Sequence, residues 1–226
     1  MQLTYPKLLM KNLEPSSLWN YFHQITQIPR PSKKEEKIRT FLKSFATSHQ
    51  LSCSEDTAGN IVIRKNAASG FETRQGVIMQ AHMDMVCEKN SNITHNFDND
   101  AINTCIEGDW VKAKGTTLGA DNGIGMAMML AVLADNTLQH PALECLFTVD
   151  EETGLTGALM LEKDFLKGNT LINLDSEDDG EIFIGCAGGI GTRAVINYQT
   201  ETSSDGYFGG KVSVTGLSGG HSGGDI

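Results

Sequence analysis

The chain has 226 residues, of which 39% are hydrophobic and 20% charged. That is the balance of a soluble globular protein, long enough for one large domain or somewhat more. The net charge of −10 argues against nonspecific binding to nucleic acid or to an anionic membrane, because both reward basic patches. No run approaches the ~18 apolar residues of a membrane span. The opening residues, Met1-Gln2-Leu3-Thr4-Tyr5-Pro6, lack the basic-then-apolar pattern of a secretory signal. Cysteines stand at 53, 87, 105, 145 and 186. An odd number, widely spaced and without a C-x-x-C pair, fits a reducing, cytoplasmic setting rather than a disulfide framework.

After a lead-in over residues 1–14, Leu18 to Ile25 carries apolar residues at helical spacing, and Pro29 and Pro31 bound that helix. Ser32 with Glu35 three residues later reads as a capping box opening an amphipathic helix through Ile38, Phe41, Leu42 and Phe45. Leu51 to Asp56 and Ile61 to Arg64 flank Gly59-Asn60 and predict a hairpin. A central strand runs from Gly76 to His82. Residues 88–108 are polar and aperiodic and predict a long surface loop, with a short strand following at Trp110 to Ala113. Met126 to Leu133 is apolar nearly all round and predicts a buried helix. Further strands are expected at Ala142 to Val149 and Leu171 to Leu174. A glycine-rich joint, Cys186-Ala187-Gly188-Gly189, marks a domain boundary near 186–189, beyond which antiparallel strands are expected at Thr192 to Tyr198 and Lys211 to Gly216. The expected fold class is α/β, a mixed, mostly parallel sheet flanked by helices, followed by the start of a smaller α+β domain.

Several of these elements end in the same kind of residue. The central strand closes in His82-Met83-Asp84, the next in Asp150-Glu151-Glu152, the last in Asp175, and the buried helix is preceded by Asp121. In open α/β sheets, ligands gather at the carboxyl ends of strands. A carboxylate two residues from a histidine can fix the ring's tautomer and leave its other nitrogen for a metal. The pair alone also fits a buried histidine beside a solvated acid. Imidazole and carboxylates together suit a pair of divalent ions such as zinc, manganese or cobalt. A further carboxylate is needed to move a water proton. Gly123-x-Gly125 lacks both the dinucleotide fingerprint and a P-loop lysine.

Taken together, His82-Met83-Asp84, Gly119-Ala120-Asp121-Asn122-Gly123, Asp150-Glu151-Glu152-Thr153-Gly154 and Asn173-Leu174-Asp175-Ser176-Glu177 resemble the motif series of the M20 co-catalytic zinc peptidases. They are most similar to its aminoacyl-histidine dipeptidase branch. The resemblance implies a catalytic domain over 1–187 and the beginning of a lid and dimerisation domain over 188–226. It implies two divalent ions, zinc in the family. His82 and Asp175 would hold one, Glu152 the other, and Asp121 would bridge them. Asp84 would orient His82, Glu151 would be general base and acid, and the Asp121–Asn122 peptide bond would be cis. Gly219-Gly220-His221-Ser222-Gly223 resembles the lid motif, whose histidine stabilises an oxyanion, in some members at the partner subunit's site; it also fits a turn histidine in a glycine loop. The implied substrates are unblocked dipeptides of the Xaa-His type, and the implied assembly is a homodimer, with no nucleic-acid or membrane partner.

Family members are about twice this length, and a fifth ligand, a histidine near their C-terminus, has no counterpart before Ile226. The expectation is a piece of a longer polypeptide. A metal-dependent deacylase of the same superfamily, and a non-catalytic domain lacking the last ligand, are the competing readings. His140, between Gln139 and Pro141, reads as a turn residue rather than a replacement ligand.

Overall fold

The computed structural model describes residues 10–176, 180–185, 193–202, 205–206 and 208–214. The chain divides into two compact units, Met1–Glu177 and Asp178–Ile226. The described residues of the second unit form neither helix nor strand, so the strands expected around 192–198 and 211–216 are not seen among them. The glycine joint and the lid-like motif lie outside the described residues. No helix among the described residues is long and apolar enough to cross a membrane.

Among its described residues the first unit is built on a five-stranded sheet and four α-helices. The first helix, α1 (Ser16–Thr26), buries Phe22, Ile25 and Thr26. The second, α2 (Glu36–Ser48), buries Ile38, Leu42, Phe45 and Ala46, the i, i+4, i+7, i+8 stripe of an amphipathic helix. Strands β1 (Ser52–Glu55) and β2 (Ile61–Lys65) form the expected hairpin. Its turn is tied by Asp56, whose carboxylate accepts from the backbone and side-chain amides of Asn60, both at 2.8 Å. The central strand β3 (Val77–His82) is followed by a two-stranded ribbon, β4 (Thr104–Glu107) with β5 (Trp110–Ala113). Thus the stretch expected to be loop as far as 108 contains a strand. Thr104–Glu107 is too short to show a period, and only pairing across the Gly108 turn (φ 60°) makes it one.

The third helix, α3 (Ala120–Ala134), is broken near its start by Asp121 (ψ 112°) and Asn122, between which the peptide bond is cis. Met126, Ala127, Met129, Leu130 and Leu133 are buried, while Met128 is exposed. Then come β6 (Leu143–Thr148), the short α4 (Thr156–Leu159) and β7 (Thr170–Asn173).

The sheet order is β1-β2-β6-β3-β7. Only β2 opposes the others. It pairs antiparallel with β1 and β6, while β6, β3 and β7 are parallel neighbours. One face carries Ile61, Ile63, Ala81, Cys145 and Phe147, all at 0% exposure, into a core shared with α1, α2 and α3. β6 is buried along its whole length, as a strand inside a covered sheet requires. On the other face Glu144 pairs with Arg64 at 2.9 Å and accepts from the amides of Lys167 and Gly168 at 2.8 and 2.7 Å.

This burial pattern predicts unequal effects of truncation. Phe147→Ala, at the centre of the core, should cost about 3–5 kcal/mol. Leu159→Ala, where the side chain is 76% exposed, should stay within about 0.5 kcal/mol. Urea unfolding of the two variants against the parent chain measures both.

Candidate metal centre

Because β6, β3 and β7 lie side by side and point the same way, their carboxyl ends meet at one edge. β3 delivers His82 there, β6 runs on into Asp150-Glu151-Glu152, and β7 into Asp175. The ladder continues past the strands: the Met83 amide donates to the Thr148 carbonyl at 2.7 Å, and the Leu174 amide to the Gln80 carbonyl at 2.9 Å. The residues just beyond the strand ends are therefore placed by backbone hydrogen bonds. Asp121 comes from across the edge, on the turn that Gly119 makes at φ +72° into α3.

His82 is 1% exposed. Its Nε2 lies 2.8 Å from Asp121 Oδ1 and 3.7 Å from Asp175 Oδ1. Its Nδ1 lies 3.3 Å from Asp84 Oδ1 and 3.2 Å from the Asp84 carbonyl. One nitrogen thus faces the support and the other faces the acids. One donor atom each from His82, Asp121 and Glu152 all lie within 4.8 Å of one another.

Asp84 is completely buried. Besides His82 it accepts from Ser32 Oγ at 2.7 Å, from the Glu151 amide at 3.0 Å and from the Glu152 amide at 3.2 Å. The adjoining Asp150, in the left-handed region at φ 49°, accepts from the hydroxyls of Thr153 (2.5 Å) and Thr156. Its amide donates to Glu35 at 3.0 Å. Glu35 also accepts from the Lys33 amide at 2.9 Å. This overturns the expected capping box. Lys33 turns the chain at φ 67°, α2 begins at Glu36, and Ser32 and Glu35 support the carboxylate loops instead of capping the helix.

The electrostatics divide the acids into two kinds. Burial alone would raise Asp84, but hydrogen bonds from His82, Ser32 and the Glu151 amide outweigh it and hold its pKa at about 2. Asp121 is lowered by the hydrogen bond from His82, against its burial. Asp175 is raised to about 6, by burial first, with the His82 charge opposing and the Asp121 charge adding. Glu152 is raised by burial and by the neighbouring charge of Asp121. Burial works against a charge on His82. The hydrogen bonds to Asp121 and Asp84 and the charges of Asp175 and Asp84 prevail and lift it to about 10. A cluster of acids that holds a proton on its histidine and resists charge on two carboxylates has the donor set of a divalent cation site. Such a cation would compete with those protons. The residues present fit the group.

The structure brings His82, Asp84, Asp121, Glu151, Glu152 and Asp175 to one edge. His221 lies outside the described residues. His140 is occupied at a turn, its Nδ1 2.7 Å from the Pro141 carbonyl. Arg30, Ser32 and Glu35 were not expected among the site's supports. The one signal for Arg30 is its setting, Pro29-Arg30-Pro31, which fixes the backbone around a cation. Asp84→Asn should destabilise the metal-free chain by about 3–5 kcal/mol, the range for breaking a buried charge pair, because the amide turns a donor toward groups that also donate. Thermal and urea unfolding in the presence of chelator measure it.

No protein-family model matches the chain. The cytosol non-specific dipeptidase of Escherichia coli K12 is 46% identical over 217 residues, 96% of this chain and 45% of that protein. Among solved structures, the aminoacylhistidine dipeptidase of Vibrio alginolyticus superposes with a TM-score of 0.75 at 48% identity, over 76% of this chain and 35% of that one. A tripeptidase of Staphylococcus aureus does so with a TM-score of 0.63 at 25% identity, over 74% and 45%. The chain spans about half the length of the curated relatives it matches. By sequence and by fold it is a homologue of the cytosol non-specific and aminoacylhistidine dipeptidases, with the M20-type peptidase fold.

Proposed function

We propose that this chain carries the metal centre of a cytoplasmic, metal-dependent dipeptidase acting on unblocked dipeptides, Xaa-His among them. The observation that carries the reading is the convergence of His82, Asp121 and Glu152 donor atoms within 4.8 Å, in a chain 46% identical to a dipeptidase. His82 and Asp175 would hold one divalent ion, Glu152 a second, and Asp121 would lie between them. Zinc suits the set, and so do cobalt and manganese. Such ions supply Lewis acidity, polarising a carbonyl and lowering the pKa of water.

The chain's own residues do the rest. Asp84, bonded to Nδ1, keeps the His82 ring turned so that Nε2 faces the acids. Asp84 also fixes the Glu151 backbone through its amide, which sets where the Glu151 carboxylate can reach. Glu151 takes a proton from water and returns it to the leaving amine, the general base and acid of one hydrolysis. His221 would steady the developing oxyanion from the lid, in a homodimer.

Equilibrium dialysis with Zn2+ should load two ions per chain, and Asp121→Ala should lose them. Absence of binding at any Zn2+ concentration would favour a non-catalytic domain. In the active polypeptide Glu151→Gln should lower kcat by about 10²–10⁴-fold while metal content is unchanged; wild-type turnover would remove Glu151 from the role. Faster hydrolysis of N-acyl amino acids than of dipeptides would make the enzyme a deacylase.

A further inference from the structure

Arg30 is among the most deeply buried large side chains of the described residues, at 2% exposure. Burial lowers its pKa to about 10, with Asp84, Cys87, Asp121 and Glu152 pulling the other way, so it is a cation at neutral pH. A buried cation in an acidic site would be expected to pair with a carboxylate. Arg30 donates to carbonyls instead. Nη1 reaches the carbonyls of Met83 at 2.9 Å and Asp84 at 2.6 Å, and Nη2 that of Gly119. Met83 and Asp84 directly follow His82; Gly119 precedes Asp121 by two residues. The two stretches of backbone lead from His82 and into Asp121.

We propose that Arg30 is a positioning residue of the metal centre: its guanidinium clamps the loop leaving His82 to the loop entering Asp121, and so sets the spacing between those two ligands. Four features carry this. The planar fork can serve both loops at once, which a single ammonium cannot do with the same geometry. By donating to carbonyls, Arg30 leaves the carboxylates of Asp121 and Glu152 facing the site, so its charge offsets their repulsion without taking a ligand's place. The surroundings are also shaped to its head group. A Cβ on Gly119 would stand 2.6 Å from Nη2, and one on Gly123 2.8 Å from it. The glycines of Gly119-Ala120-Asp121-Asn122-Gly123 therefore make room for a guanidinium. Pro31 pairs with Met85 in a parallel bridge, which holds the Arg30 backbone alongside the loop it clamps.

The clamp is tested on the metal-free full chain by peptide-resolved amide hydrogen exchange. In Arg30→Met, residues 83–88 and 117–122 should exchange about tenfold faster or more, while β2 and β6 stay at the parent rate, as expected for a local opening. Arg30→Lys should recover part of the protection. Exchange unchanged in both loops, or raised equally across the whole sheet, would overturn the proposal. If Arg30→Met does not fold, Gly123→Ala serves: it crowds the guanidinium and keeps its charge, and must give the same local pattern.

The consequence for the ligands rests on reading His82 and Asp121 as such. It is measured with Co2+, whose affinity should fall about 10–100-fold in folded Arg30→Met, with an altered visible spectrum. Parent affinity and spectrum in that variant would refute the positioning role. A parent chain that takes up no Co2+ would sink the metal-site reading and leave the exchange data to decide the clamp.

Discussion

The Asp84 carboxylate is the point on which the site depends. It is a fully buried charge, and such a charge is tolerated only when its lone pairs are met. Here they are met by four donors from three parts of the chain: the His82 ring, the Ser32 hydroxyl, and the amides of Glu151 and Glu152. Each donor is itself a piece of the centre or its support. Satisfying one buried anion therefore fixes the His82 ring and the backbone of the two acids beyond the end of β6 in the same act. The sheet brings these segments to one edge, and the carboxylate sets their spacing within it.

That arrangement explains why carboxylates so close together behave differently. Asp84 receives backbone and hydroxyl donors and stays charged, with its pKa at about 2. Asp175 and Glu152 are partly buried and look toward other acids, and both are raised. Environment alone separates them. Asp84 is held charged by the fixed donors behind it, and Asp121, which looks into the same space as Asp175 and Glu152, is held charged by the His82 ring. The acids that resist charge face the space a cation would fill, where His82, lifted to about 10, carries positive charge in the metal-free chain.

The parts of this picture that could be read in the sequence are those carried by side-chain pattern. Apolar runs ending in His82, Glu151 and Asp175 gave the parallel strands and their common edge. The stripe through Ile38, Leu42 and Phe45 gave α2, and the all-apolar run gave α3. What could not be read is carried by contacts between distant residues. Ser32 and Glu35 have the spacing of a capping box, and nothing local says that Asp84 and the Asp150 amide, 52 and 115 residues away, compete for them and win. Thr104–Glu107 is a strand only because Trp110–Ala113 pairs with it. Arg30 was missed for the same reason in a stronger form. Its partners are backbone carbonyls, and a carbonyl has no residue type to recognise.

The glycines show how such a contact can leave a trace all the same. Gly119 and Gly123 bracket Asp121, and glycine near an acidic site invites thoughts of phosphate or of a plain turn. Two separate demands act there. Gly119 sits at φ +72°, where other residues are strained. Gly123 has no such φ, so conformational freedom does not account for it; the guanidinium 2.8 Å from its would-be Cβ does, together with Phe22 at 3.2 Å. A glycine in an ordinary helical conformation costs about 0.5–1 kcal/mol relative to alanine. Its presence at the head of an otherwise apolar helix thus points to something large pressed against the backbone. In this fold that something is a buried cation, and the lost side chain at 123 is the mark it leaves in the sequence.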